Sequence, residues 1–265
     1  MKSKDFYVNG LRKRAVSQAF SGAVKTYEGQ ALVHRRAARS LAGKIEALPL
    51  APNPTVMEIG CGTGLLTESL TALFPQARLL ATDLSPAMAA HCARRLEGPN
   101  RTFLVMDGEA PALNCAADLI ASSLAVQWFS DLGGGLRGLM ECLRPGGAFA
   151  FVTLGEETFC QWRDALKHLG FPAGTPDYPS KNALAGMLEG LGGIEVEEER
   201  LDQVFPSSLD FLKSLKDLGS HLPRSGYRPL TPGALRKAMG YLDAKAGGNG
   251  VAMTYHLLRA VIRKG

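Results

Sequence analysis

The segment Val56-Met57-Glu58-Ile59-Gly60-Cys61-Gly62-Thr63-Gly64-Leu65-Leu66 constrains the fold more than any other part of this 265-residue chain. A short apolar run enters a turn with three alternate glycines, and a helical pattern begins at once. Glycine lets a backbone take otherwise disfavoured dihedrals and lets a ligand approach the main chain closely. The pattern continues with strands expected at 55–59, 78–82, 102–106, 118–122 and 149–153. Helices are expected between them at 65–74, 86–96 and 132–143. Ser85 followed by Pro86 is a helix start, a side-chain cap with proline at the first helical position. Strands alternating with helices predict βαβ units and a parallel sheet.

Outside this core the spacing predicts one helical run over 12–48, ended by Pro49. It also predicts helices at 157–169, 181–191, 209–218 and 232–245, with strands at 194–200 and 254–262. Residues 1–50 are expected as a helical cover, 51–155 as a ligand-binding core, and 156–265 as the remaining strands with helical lid insertions. These form one domain rather than two, with the ligand at the carboxyl ends of the strands.

Composition excludes several classes. Hydrophobic residues make up 46% and charged residues 21%, which rules out a disordered or fibrous chain. Five scattered cysteines without a C-x-x-C pair (Cys61, Cys92, Cys115, Cys142 and Cys160) predict neither a disulfide framework nor a metal site. No uncharged apolar run approaches the ~18 residues of a membrane span, and the first ten residues lack a secretory signal, so a cytoplasmic protein is expected. The net charge of +5 fits a plain solubility bias first and an acidic partner or nucleic acid second, and without basic and aromatic interleaving nucleic acid is the weaker of those two.

Two acids follow the glycine turn at the ends of the next two strands. Asp83 is placed to accept both hydroxyls of a ribose, and Asp107 to meet an adenine amino group. A dinucleotide fingerprint needs Gly or Ala five residues after its first glycine. Here Leu65 stands five after Gly60, and Thr67 five after Gly62. Glu58 just before the turn would repel a pyrophosphate but welcome a cationic amino-acid tail. A nucleoside with an ammonium and a sulfonium, S-adenosylmethionine, is the expected cofactor.

Glu58 to Gly64, Asp83, Asp107 and the Leu143-Arg144-Pro145-Gly146-Gly147 turn resemble the class I methyltransferases. The resemblance implies an α/β fold, a seven-stranded mostly parallel Rossmann-like sheet with helices on both faces and a helical lid. It adds Leu84, Gly108 and Ser123 to the cofactor site, with Tyr27 closing over the amino-acid end. Further stretches are Ser122-Ser123-Leu124-Ala125-Val126-Gln127-Trp128, Ser214-Leu215-Lys216 through His221, and Thr254-Tyr255-His256-Leu257-Leu258. With Phe20 and Tyr27 ahead of them, these are similar to the malonyl-[acyl-carrier protein] O-methyltransferases of biotin synthesis. That resemblance implies methyl transfer to the free carboxylate of a malonyl thioester on an acidic carrier protein. Gln127, Trp128, Lys216, Tyr255 and His256 are the expected acceptor-site residues, with no catalytic acid or base. A carboxylic acid with a pKa near ~4 is already anionic at neutral pH. The chain departs from the family at Ser123, where Asn is frequent, at His34, where Gln is frequent, and in its glycine-rich stretch 244–250. Another small-molecule methyltransferase, or an adenosyl-binding protein without activity, are the competing readings.

Overall fold

The computed structural model describes residues 2–112 and 116–265, with side chains from residue 9 onward; Cys115 lies outside the described residues. In chain order the elements are α1 (Lys2–Ala23), α2 (Tyr27–Gln30), α3 (Leu32–Glu46), β1 (Thr55–Ile59), α4 (Leu65–Leu73), β2 (Arg78–Asp83), α5 (Pro86–Leu96), β3 (Arg101–Val105) and β4 (Ala117–Ser123). A short 3-10 turn at Val126–Trp128 leads to α6 (Leu132–Glu141) and β5 (Leu143–Leu154). Then come α7 (Cys160–His168), α8 (Lys181–Leu188), β6 (Gly193–Phe205), α9 (Ser208–Asp217), α10 (Pro232–Ala246) and β7 (Val251–Arg263).

The strands form one seven-stranded sheet in the order β3-β2-β1-β4-β5-β7-β6. All pairs from β3 to β5 are parallel, while β7 runs antiparallel to both β5 and β6. The order reverses beside β1, where β4 lies on the side away from β2, so a crevice opens above the carboxyl end of β1. Side chains alternate across the sheet. Val56, Leu119, Ala150 and Met253 face a layer containing α3, α4, α7 and α10. Met57, Ile120, Phe149 and Leu258 face a second layer containing α6 and α8. Both faces of the central strands are thus buried, which explains their near-continuous apolar runs.

The helical run expected over 12–48 is three helices. The chain turns at residues 24–26, where Thr26 Oγ1 donates to Asp217 O at 2.7 Å and to Ala23 O at 3.1 Å. That turn buries Tyr27 against Met88, Ala31 and Leu218. The helix expected from residue 157 begins at Cys160, because Gly155–Phe159 wrap around the end of β7: Gly155 N donates to His256 O and Phe159 N to Thr254 O, both at 2.7 Å. The last two strands are each 13 residues long, well beyond the expected cores at 194–200 and 254–262. Each gains ladder bonds from the other, so their outer ends persist without an apolar pattern.

Candidate functional site

The turn after β1 is tied to the strand beside it. Gly60 N and Cys61 N both donate to Thr82 O at 2.8 Å. Gly62 N donates to Asp83 Oδ2 and Ser85 N to Asp83 Oδ1, each at 2.8 Å. Gly60 and Gly62 have φ of +75° and +53°, in the left-handed region. A Cβ on Gly60 would lie 2.2 Å from Ala125 Cβ, whereas a Cβ on Gly62 would meet nothing within 4 Å. Gly60 therefore seats the turn against the segment after β4, and Gly62 bares its backbone to open space. Gly64 faces Leu96 and Cys92 on α5, so its place is in helix packing rather than at a cavity wall.

A cleft of about 700 Å³ opens over this turn. Tyr27, Gly60, Gly62, Asp83, Leu84, Asp107, Gly108 and Ser123 line it, so eight of the ten residues expected at the cofactor converge there. Burial raises the Asp83 carboxyl above its ordinary value, opposed by the Ser85 and Gly62 N–H groups. Each Asp83 oxygen already accepts one N–H, leaving a lone pair on each for a further donor. Tyr27 is buried, and both burial and the nearby Asp83 charge keep its phenol protonated.

The roof of the cleft is α1, whose lysine the sequence reading did not single out. Lys13 Nζ lies 2.5 Å from Asp107 Oδ2 and 2.8 Å from Glu109 Oε2. Ser17 Oγ donates to Leu84 O at 3.0 Å, and Ser21 Oγ meets Ser85 Oγ at 2.7 Å. Both polar bonds are made at the end of β2, so α1 is fastened along one rim.

Beneath Tyr27 a crevice of about 290 Å³ adjoins the cleft, with Glu58, Thr63 and His34 in its wall. Burial drives the Glu58 carboxyl up to about 8, opposed by its hydrogen bonds with Thr67, whose Oγ1 donates to Oε2 at 2.6 Å. Burial lowers His34 to about 4, so its ring is neutral. His34 Nδ1 and Thr63 Oγ1 are buried without a hydrogen-bond partner among the described residues. Buried polar atoms in that state are costly, and a polar ligand would satisfy them. The donor set fits a ligand with a diol at Asp83 and an amino-acid tail at Glu58, Thr63 and His34.

A second chamber, about 450 Å³, lies on the far side of Trp128 and shares Phe20, Leu124 and Trp128 with the cleft. Gln127, Tyr178, Ser220 and Tyr255 supply its polar wall, together with His34. Gln127 Nε2 donates to Leu124 O at 2.8 Å, leaving the buried Oε1 without a partner. Burial raises both Tyr178 and Tyr255, so both hydroxyls are neutral donors. Tyr178 comes from the segment between α7 and α8 and carried no sequence signal beyond being a lone aromatic.

The structure does not bring Lys216 or His256 to this wall. Lys216 is exposed on α9 and lines neither cavity, because the apolar face of that helix, with Phe211 and Leu215, is the one turned inward. His256 is buried and fastens the loop after β5: its Nε2 meets Glu198 Oε2 at 3.2 Å, and its Nδ1 accepts from Glu157 N at 3.4 Å. Cys61 is buried, and hydrogen bonding with Cys92 together with burial pushes its thiol up, which makes it inert rather than prone to alkylation. No helix among the described residues is long and apolar enough to cross a membrane.

A family model described as a methyltransferase domain matches residues 56–147. The malonyl-[acyl-carrier protein] O-methyltransferase of Magnetococcus marinus is 39% identical over 252 residues, covering 94% of this chain and 92% of that protein. The biotin biosynthesis bifunctional protein BioCD of Bordetella avium is 41% identical over 96% of this chain, which spans 53% of that longer protein. Among solved structures, the YcgJ protein from Bacillus subtilis superposes with a TM-score of 0.62 at 15% identity, over 85% of this chain and 98% of that one. Phosphoethanolamine N-methyltransferase 2 of Haemonchus contortus, in complex with S-adenosyl-L-methionine, gives 0.58 at 14% identity over 92% of this chain and 57% of its own. At such identities the structural matches speak to the fold alone.

Proposed function

Since the chain belongs to the family of malonyl-[acyl-carrier protein] O-methyltransferases, we propose that it methylates the free carboxylate of a malonyl thioester carried on an acidic acyl carrier protein. The cofactor of this reading is S-adenosylmethionine, and the setting is the cytoplasm, without a membrane or nucleic-acid partner. When bound, that cofactor supplies a methyl group on a positively charged sulfur, which departs as a neutral thioether once an acceptor oxygen has taken the methyl. Asp83 would take the ribose diol through its two remaining lone pairs. Glu58, Thr63 and His34 would hold the amino-acid tail, and Tyr27 would cover it. Asp107, Leu84, Gly108 and Ser123 would border the adenine and the junction.

One observation carries the acceptor side. The chamber beyond Trp128 is lined by neutral groups, with an orphaned Gln127 Oε1 and two protonated phenols, Tyr178 and Tyr255. Its one basic side chain among the described residues, the neutral His34, is made a weak base by burial, and an acceptor that is already an anion needs no proton removed. Phenol donors would orient a carboxylate without neutralising it, and Phe20, Leu124 and Trp128 would keep water from the junction. Positioning of this kind contributes up to ~7–11 kcal/mol in the best cases. The opposite charges on sulfur and oxygen are progressively neutralised as the methyl passes between them, so a dry site, which solvates the separate charges poorly, favours the reaction.

The deciding experiment measures labelled methyl transfer to malonyl carrier protein beside acetyl carrier protein and free malonate. Transfer confined to the malonyl carrier is expected. Equal labelling of the acetyl form would overturn the proposal. Y178F and Y255F should each raise the acceptor KM about tenfold while leaving cofactor affinity within twofold, the scale of one hydrogen bond to a charged group.

A further inference from the structure

Beyond the acceptor chamber lies a third hollow of about 990 Å³, between loops 171–180 and 218–231. It shares Tyr178, Leu215 and Ser220 with the chamber, which in turn shares Phe20 and Trp128 with the cofactor cleft. The three spaces therefore lie in series. An acceptor whose reacting end meets Trp128 has its remainder directed past Tyr178 into this groove. We propose that the groove seats a pantetheine-type arm: the long, uncharged, amide-bearing chain on which acyl thioesters are carried. The inference rests on the function proposed above and names the part of the acceptor that function leaves unplaced.

Three features fit that occupant. The floor is apolar, with Trp162, Phe211 and Leu212, and suits methylene and methyl groups; Thr175 and His221 supply polar contacts suited to amides. The outer edge is bridged rather than open. Arg224 N donates to Gly174 O at 2.9 Å, Arg224 Nε to Ala173 O at 3.2 Å, and Tyr227 Oη to Pro172 O at 3.4 Å. Gly174 permits this closure, since a Cβ there would lie 2.7 Å from the Tyr227 ring. The exposed rim is cationic: loop 218–231 carries Arg224 and Arg228 and no acid, against Asp177 on the facing loop. A phosphate at the far end of the arm would meet that charge.

The test compares malonyl-N-acetylcysteamine, which lacks most of the arm, with malonyl-pantetheine. If the groove holds the arm, kcat/KM should be about tenfold higher for the longer thioester, because binding far from the reacting centre is lost on truncation. Leu222→Glu, in the groove wall, should cut that advantage to less than about threefold, and Thr175→Trp provides a second obstruction. Adenosylhomocysteine affinity, read by calorimetry, reports that each variant is folded. Equal kcat/KM for the two thioesters, or variants that depress both equally, would overturn the assignment. Methylation of neither thioester would also overturn the assignment, and if malonyl carrier protein too were left unmethylated by the unaltered enzyme, the proposed function would fall with it.

Discussion

Lys13 Nζ stands 2.5 Å from Asp107 Oδ2, joining the N-terminal helix to the loop after β3 across the cofactor cleft. Partial burial alone would lower the lysine's pKa, but its hydrogen bonds with Asp107 and Glu109 outweigh that and hold it above the ordinary value. Partly exposed pairs of this kind contribute about 1 kcal/mol or less, and salt screens them. Lys13→Met should therefore weaken adenosylhomocysteine binding roughly fivefold at low ionic strength and less at high salt. Calorimetry across a salt series checks this. A variant that binds more tightly would show that Lys13 competes with the ligand for Asp107.

Asp83 has a double task, bracing the glycine turn through Gly62 N and facing the cleft with what capacity remains. Asp83→Ala removes the turn's acceptor and the expected diol contact together. With hydrogen bonds to a charged group at ~1.5–3 kcal/mol each, cofactor affinity should fall at least a hundredfold. Asp83→Asn keeps one carbonyl oxygen and should fall between the two. Unchanged affinity in the alanine variant would place the ribose elsewhere.

The buried Glu58 gives a pH signature. Desolvation raises it to about 8 from an ordinary 4.5, so below about pH 8 the unliganded protein holds it protonated. An ammonium placed against it favours the anion, so cofactor binding should release close to one proton at pH 7. Affinity should then tighten as pH climbs toward 8 and level off above it. Stability of the unliganded protein runs the other way. Between the unfolded value near 4.5 and the folded value near 8, the native state keeps a proton that the unfolded chain has lost. Its melting temperature should thus fall as pH rises through that window. Calorimetry in two buffers of different ionisation enthalpy measures the proton release, and Glu58→Gln should abolish both trends.

The residues legible in the sequence are those whose chemistry is local to a strand end. Asp83 closes a strand of the parallel sheet, Glu58 stands one residue before a strand's end and Asp107 two residues after one, and the fold brings such ends to one edge whatever the rest of the chain does. Lys13 and Tyr178 were not legible, because their place depends on where α1 and the loop before α8 dock, over sequence separations no periodicity encodes. Thr26 is a similar case: its bond to Asp217 O crosses 191 residues and decides where the first helix stops. Lys216 and His256 misled for the opposite reason. Their motifs are distinctive, yet a helix turns one face inward, and the neighbouring Leu215 took that side of α9. His256 shares β7 with Tyr255, but successive residues of a strand point to opposite faces, so only one of the pair can reach the chamber.

Gly60 and Gly62 should separate stability from binding, although both sit in one turn with positive φ. Any L-residue in the left-handed region costs about 1–2 kcal/mol. Gly62→Ala should incur little more than that, because its methyl would enter open space, so the melting temperature should drop by only about 2–6 °C. Gly60→Ala adds a clash with Ala125 Cβ, a short side chain on a turn that cannot rotate away. Overpacking contributes a further ~1–3 kcal/mol, so a drop of about 5–15 °C is expected. Affinity should respond in the reverse order of cause: in Gly62→Ala the protein stays folded but the methyl occupies ligand space, and binding should weaken more than tenfold at full native content. In Gly60→Ala binding should be lost largely in step with folding, and at low temperature, where the native fraction recovers, part of it should return. Thermal melts paired with calorimetric titrations at 10 and 25 °C would distinguish the two. Equal melting temperatures for the variants would contradict the assignment of Gly60 to packing against Ala125.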